Sequence, residues 1–368
     1  ESVVVVFNGE IYNYQELRKY LFHKGHKFKT KSDTEVLVHL YEEHGEDMPK
    51  FLNGMFAFAI WDTQKNELFI ARDQVGIKPL FYFHSGPLLV FGSEVKAILA
   101  HPKVKKEINS VAVAAYAKFG YIGGKDSIFK HIFKLLPGMC LRFSNGKVKL
   151  RRYWSLGTCR FNSDGSLNNI LRKAVWLQSI ADVPVGVFLS GGLDSSLLLY
   201  YLSQIQKKKI HTFSVGFAEK TFDESRFTQN TAKEFSSIHH ATNLSSYDLI
   251  NLFPEVIQKL DEPLSDPSLF PTYKVSKLAK EYVKVVLSGD GGDEIFAGYP
   301  TYQGHLLAEK MQFLPQQFFS ILKHIISFLP VRSTNFPVRE IAQVFLENTT
   351  DPFLSRHLAW MSHLFANS

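Results

Sequence analysis

The spacing of apolar and polar positions divides the chain into two stretches of different rhythm. In the first, Val3-Val4-Val5-Val6-Phe7 is an unbroken apolar run that predicts a buried strand. Asn13 followed by Glu16 reads as a capping box for a helix running through Leu17 and Leu21 to Gly25, and Ser32 with Glu35 repeats the arrangement for a helix ending at Gly45. Short aromatic or β-branched runs over 56–61, 68–71, 79–83 and 88–91, separated by turn residues, predict an antiparallel meander. Asn145-Gly146 stands between the runs 140–143 and 147–150, and that dipeptide favours the type I′ turn of a hairpin, here closing a first domain.

Residues 157–165 are polar and rich in turn formers, which places a linker there. Beyond it the pattern becomes a helix over 167–180, a strand over 183–189, a glycine turn, a helix from Asp194, a strand over 211–217, a helix from Glu224 and a buried strand over 283–287. Strands alternating with helices at this spacing predict βαβ units and a parallel sheet covered on both faces. The fold class is therefore α/β: an antiparallel, sheet-rich domain over 1–156, then a parallel-sheet domain over 166–368.

Composition narrows the setting. The 368 residues, 45% hydrophobic, fit about two domains with cores of their own. Two cysteines, Cys140 and Cys159, are too few for a disulfide framework, and a reducing cytoplasmic setting is the default. The longest apolar candidate span, 318–329, is split by Lys323 and His324, so no membrane crossing is expected. The net charge of +7 is scattered; its one triplet, Lys207 to Lys209, reads as a solvated helix end, not a nucleic-acid patch. The chain opens at Glu1 inside an apolar strand and closes on helix-like sequence, so both ends read as truncated.

Two glycine turns carry the chemistry. Ser190-Gly191-Gly192-Leu193-Asp194-Ser195-Ser196 follows a buried strand and opens a helix. Glycines there let the backbone approach a ligand, and the first N–H groups of the helix have no intrahelical partner, which together cradle an anion. The plain alternative is an ordinary strand-to-helix turn with Asp194 set against the helix dipole. Ser288-Gly289-Asp290-Gly291-Gly292-Asp293-Glu294 also follows a buried strand and crowds acids together, a natural seat for a hard cation such as Mg²⁺; its alternative is a solvated acidic turn.

The order Ser-Gly-Gly-x-Asp-Ser resembles the pyrophosphate loop of ATP pyrophosphatases, which transfer AMP to an acceptor oxygen. With Asn8-Gly9-Glu10-Ile11-Tyr12-Asn13 and the segment 72–80 (Arg-Asp-Gln-Val-Gly-Ile-Lys-Pro-Leu) ahead of it and the second loop behind, the chain resembles glutamine-hydrolysing asparagine synthetase over nearly its whole length. The resemblance implies an αββα amidotransferase domain that frees ammonia from glutamine, joined to a domain that adenylates aspartate with ATP and Mg²⁺. It implies Asn8 and Gly9 as oxyanion donors, and Glu10 and Asp33 at the amino-acid end of glutamine. It places Phe188, Val215, Ser288 and Gly289 around ATP, Ser190, Gly191, Gly192 and Ser195 on pyrophosphate, and Asp194 and Asp293 on magnesium. Simpler roles stay open: Asn8-Gly9 as a turn dipeptide, Asp33 as a first-turn acid, Phe188 and Val215 as core.

The sequence departs from the family in two places. The family's nucleophile is a cysteine at the start of the mature chain that uses its own α-amino group, so internal Cys140 and Cys159 cannot replace it and this chain alone is not expected to hydrolyse glutamine. A lysine that serves adenylation late in the family's second domain has no counterpart after Asp293, where Lys310 and Lys323 lie outside any matching motif. The acceptor pocket is expected along 261–273 and after Asp293, with selectivity unread, so a relative acting on another carboxylate is the near rival. A tRNA-modifying pyrophosphatase leaves residues 1–155 unexplained, and a non-catalytic derivative has no need of both acids. Small-molecule partners are expected, no nucleic acid or membrane, and a homodimer is left open.

Overall fold

A computed structural model describes residues 2–158, 165–217, 223–328 and 338–362. The chain separates into two compact units: unit 1 holds Glu1–Tyr116, Ile122–Ile170 and Leu260–Pro263, and unit 2 holds Ala117–Tyr121, Leu171–Lys259 and Leu264–Ser368. Most of the expected linker, and Cys159 with it, lies outside the described residues.

Unit 1 begins with β1 (Val3–Ile11), α1 (Tyr14–His23), α2 (Asp33–His44), β2 (Gly54–Asp62) and β3 (Glu67–Arg72). It continues with β4 (Phe81–Ser85), β5 (Leu88–Gly92), α3 (Val95–Leu99), α4 (Ser110–Phe119), β6 (Ile132–Lys134), β7 (Met139–Ser144) and β8 (Lys147–Arg152). The strands form two antiparallel sheets, ordered β1-β2-β3-β7-β8 and β5-β4-β6. The four short runs are thus not one meander: the chain changes sheet between β3 and β4, because their partners β7 and β6 are distant in sequence.

Side-chain size along β2 sets the layers. Phe56, Phe58 and Ile60 point to one face and pack with Leu21, Leu37, Leu40 and Phe69 beneath α1 and α2. Ala57 and Ala59 point the other way, where small side chains let the second sheet close in, so that Leu80, Tyr82, Phe91 and Leu135 pack against Ile70 and Leu141 of the first. On the far face of that sheet Phe81 and Phe83 meet Val95, Ile98 and Ala112 from α3 and α4. The result is helix, sheet, sheet, helix. Each fully buried phenylalanine contributes about 1.5–3 kcal/mol by leaving water.

Three local expectations change. β1 is an edge strand with alternating burial; Val4 and Val6 are 47% and 56% exposed, so it is not buried on both faces. Asn13 makes no capping hydrogen bond, since its amide donates to the Phe51 carbonyl and accepts from Asn53 N–H. Ser32 does cap α2 through Thr34 N–H, whereas Glu35 is drawn to the N–H groups of Lys29 and Thr30. The Asn145-Gly146 turn has φ of 49° and 71°, the positive values a type I′ turn needs.

Unit 2 contains α5 (Leu167–Gln178), β9 (Val185–Phe188), α6 (Leu193–Ile205), β10 (His211–Phe217), α7 (Ser225–Glu234) and β11 (Ile238–Leu244). After these come α8 (Ser246–Lys259), α9 (Leu269–Ala279), β12 (Val285–Leu287), α10 (Gly292–Phe296) and α11 to α14 (Pro300–Met311, Gln316–Ser327, Val338–Asn348, Phe353–Trp360). The sheet is parallel, ordered β11-β10-β9-β12. One face packs Val187, Leu199, Leu202 and Ala232; the other packs Phe213, Val275, Ala279 and Val283. Lys207 to Lys209 are exposed just past α6. No helix among the described residues is long and apolar enough to cross a membrane.

Candidate functional site

In unit 2 the chain steps outward from β9 to β10 to β11, then returns to lay β12 on the other side of β9. The order therefore reverses between β9 and β12, and ligands in open α/β sheets bind outside the carboxyl ends of strands at such a reversal. The Ser190 loop leaves β9 and the Ser288 loop leaves β12, so both glycine turns stand at that point.

The first loop is held by its own hydroxyls. Ser195, 3% exposed, accepts from Ser190 N–H at 3.2 Å and shares a hydrogen bond with Ser190 Oγ at 3.1 Å. Ser196 Oγ donates to the Gly192 carbonyl at 2.7 Å. Gly191 sits at φ 78°, a left-handed position that glycine takes without strain. The N–H groups of the first turn of α6, from Leu193 on, have no intrahelical carbonyl to meet.

The second loop touches the first. A Cβ on Gly292 would run into the Asp194 carboxylate, and one on Gly289 would lie 3.1 Å from Asp194 Cβ and 3.3 Å from Ser195 N. Glycine at both positions is what lets Asp194 enter the second loop. Asp290 is occupied by Ser288 Oγ at 2.8 Å, while Asp293 lies against Gly298. Among the described residues neither Asp194 nor Asp293 has an ion-pair partner. Two carboxylates at adjoining loops without a protein cation suit a hard divalent ion. Phe188 and Val215 are half-buried and pack against the Phe213 cluster, with one edge outside the core.

Unit 1 has its own cleft, a cavity of about 230 Å³ lined by Asn8, Ala57, Ala59, Leu80, Phe91 and Ser93 among others. Asn8 Nδ2 donates to Ser93 Oγ at 3.1 Å, using one of its two N–H groups. Gly9 faces Phe56 across the β1–β2 pair, and a Cβ there would collide with the Met55 carbonyl. Gly9→Ala is therefore expected to cost on the order of 1–3 kcal/mol in denaturant unfolding, whatever it does to chemistry. Burial raises the pKa of Glu10, helped by Asp33 and opposed by Lys78, so the two acids share one electrostatic neighbourhood. Asp33 Oδ2 accepts from Ile11 N–H at 3.0 Å. Tyr12, pushed up to about 12 mainly by burial and then by Glu10 and Asp73, is part of the same group.

Sequence reasoning passed over Asp73 as an individual residue. It is fully buried; Oδ1 accepts from Val75 and Ile77 N–H and Oδ2 from Phe56 and Lys78 N–H. Arg72 braces the same loop through the carbonyls of Gly76, Lys78 and Leu135. An acid between turn residues directly after a strand was the available signal. Of the stretch expected to line an acceptor pocket, Asp261 is bonded to Val95 N–H at 2.6 Å, and Glu262 to Ile128 N–H and Lys134, each at 2.8 Å, all within unit 1. Those two acids are taken up by protein groups.

Comparison with known proteins fits both halves. A family described as a glutamine amidotransferase domain matches residues 1–154, and one described as asparagine synthase matches residues 166–363. A Methanocaldococcus jannaschii protein provisionally named asparagine synthetase [glutamine-hydrolyzing] 2 is 39% identical over 94% of this chain and 67% of its own length. Asparagine synthetase [glutamine-hydrolyzing] 3 of Bacillus subtilis is 36% identical over 82% of this chain and 52% of its length. A solved glutamine phosphoribosylpyrophosphate amidotransferase from B. subtilis is similar at 16% identity, covering 68% of this chain and 72% of that one, with a TM-score of 0.33. The two matches give a glutamine amidotransferase domain followed by an asparagine synthase domain. The chain belongs to the asparagine synthase family, and spans about half to two thirds of the length of these curated relatives.

Proposed function

We propose that the protein to which this chain belongs makes asparagine, by amidating aspartate through β-aspartyl-AMP with ammonia taken from glutamine. The observation that carries this reading is the insertion of Asp194 between Gly289 and Gly292 at the sheet's reversal point. It joins a phosphate cradle and an acidic loop into one site, the requirement for cleaving ATP between its α and β phosphates.

In this reading Ser190, Gly191, Gly192 and Ser195 hold the pyrophosphate with loop N–H and hydroxyl donors. Asp194 and Asp293 hold Mg²⁺, which when bound neutralises the leaving charge. Phe188, Val215, Ser288 and Gly289 border the nucleotide. The aspartate carboxylate attacks the α-phosphorus, pyrophosphate leaves, and ammonia then displaces AMP. In unit 1 Glu10 and Asp33 receive the ammonium end of glutamine, since two nearby acids, one held above its usual pKa, gain from a cation between them. Asn8, with one N–H still free of Ser93, and Gly9 face the amide oxygen, where each donor is worth about 3–4 kcal/mol in the transition state.

Asparagine formation tests the reading. The complete reading frame encoding this chain, given ATP, Mg²⁺ and either glutamine or ammonium, should convert aspartate to asparagine in amino-acid analysis, releasing glutamate when glutamine is the donor, and should not amidate glutamate supplied with ammonium in place of aspartate. Amidation of a different carboxylate under the same conditions would contradict it.

A further inference from the structure

Apart from the residues discussed above, unit 1 gathers a set of metal-ligating side chains in one place: His26, His39 and Glu42. His26 lies in the turn after α1, and His39 and Glu42 are one turn apart on α2. His26 Nδ1 and His39 Nδ1 stand 3.2 Å apart, His39 Nδ1 and Glu42 Oε2 2.8 Å, and His26 Nδ1 and Glu42 Oε2 3.4 Å. Both imidazoles are largely buried, with side chains 15% and 16% exposed, while Glu42 at 36% reaches solvent.

With both imidazoles neutral, hydrogen bonds alone do not satisfy this triangle. His26 Nε2 lies 2.9 Å from Glu43 Oε1, and a proton held there leaves Nδ1 with a bare lone pair. His39 Nε2 is buried without a hydrogen-bond partner among the described residues; the acid beside it, Glu35 Oε1, is 3.9 Å away. If His39 carries its proton on Nδ1, to bond Glu42, then Nε2 is a buried, unpaired acceptor. If the proton is on Nε2, three acceptors converge with no proton between them. In the neutral rings either tautomer leaves a buried polar atom unpaired or acceptors in conflict, which costs about 1–3 kcal/mol each.

A cation among the three acceptors removes their repulsion, and His39 Nε2 then carries the ring proton, with Glu35 Oε1 3.9 Å away. A tetrahedral ion with bonds near 2.0–2.1 Å needs ligand atoms about 3.3 Å apart, close to the separations present. Two imidazoles and a carboxylate suit zinc, whereas calcium and magnesium prefer all-oxygen sets. A ligating histidine commonly gives its other ring N–H to a carboxylate, the position Glu43 holds on His26. We propose that this protein binds one zinc-type divalent ion through His26 Nδ1, His39 Nδ1 and Glu42 Oε2, with water at the fourth position. The ion fastens the turn after α1 to α2, the helix whose first turn carries Asp33.

The test uses the protein freed of metal by a chelator, titrated with Zn²⁺ by calorimetry and with Co²⁺ by visible absorption. The wild type should take up one equivalent of Zn²⁺ at micromolar concentration or below, give tetrahedral-type cobalt bands, and melt at a higher temperature with zinc. His26→Gln and Glu42→Gln should each weaken that equivalent at least ~100-fold and remove the zinc-dependent melting shift. Glu43→Gln should weaken it by roughly 10–100-fold. Circular dichroism without metal checks that each variant is folded; Glu42, being partly exposed, is the variant least able to disturb the core. No uptake by the wild type at micromolar zinc, or an unchanged equivalent in Glu42→Gln, would overturn the proposal.

Discussion

Replacing Asp194 with asparagine is expected to lower aspartate-dependent ATP–pyrophosphate exchange by at least about 100-fold while leaving the unfolding midpoint nearly unchanged. Asparagine keeps the shape that fits between Gly289 and Gly292, so the loops stay together. It removes the charge. Without that charge the cation over the leaving pyrophosphate loses a ligand, and the developing negative charge is less well neutralised. Titrating Mg²⁺ in the exchange assay checks the cause, because a lost ligand raises the magnesium concentration needed for half-maximal rate. An unaltered magnesium dependence would move Asp194 from chemistry to loop packing.

Asp73→Asn is expected to destabilise unit 1 by about 3–5 kcal/mol, and Asp73→Ala by a similar amount. The two carboxylate oxygens of Asp73 accept four backbone N–H groups at 2.9–3.3 Å inside a fully buried site. Alanine leaves all four donors unpaired. Asparagine is nearly isosteric, but its NH₂ group must face two of those donors, so the conservative change offers little relief. A thermal melt should show a midpoint lower by roughly 10 °C. A loss under 1 kcal/mol in both variants would mean that water or loop movement can replace the carboxylate.

How much of this was legible in the sequence depended on whether local or distant groups decide each feature. The bounds 211–217 for β10 are recovered because a short run of aromatic and β-branched residues, Thr212, Phe213, Val215 and Phe217, follows the polar stretch Lys207 to Lys209. The turn at Asn145-Gly146 is recovered because few other residues take two positive φ values in succession. The capping box at Asn13 fails because Phe51 and Asn53, far along the chain, compete for the same amide. β11 was not foreseen: Ile238-His-His-Ala-Thr-Asn-Leu is an edge strand with polar side chains and carries no strong period. The split of the first half into two sheets is set by strand partners far apart in sequence, as when β3 pairs Ala71 with Cys140 and β4 pairs Phe83 with Ile132. Both glycine turns were visible, but their mutual contact through Asp194 is a property of strand order and needed the structure. The pair His39 and Glu42, one helical turn apart, was readable as a chelating spacing; His26 joins it only through the fold.

The most direct test of a single ATP site built from both glycine turns is incorporation of labelled pyrophosphate into ATP, with Mg²⁺, by the complete reading frame encoding this chain. The account predicts label in ATP only when aspartate is present, and its loss in the Asp194→Asn variant. Label appearing at the same rate without aspartate, or ATP binding with no response to aspartate, would contradict it.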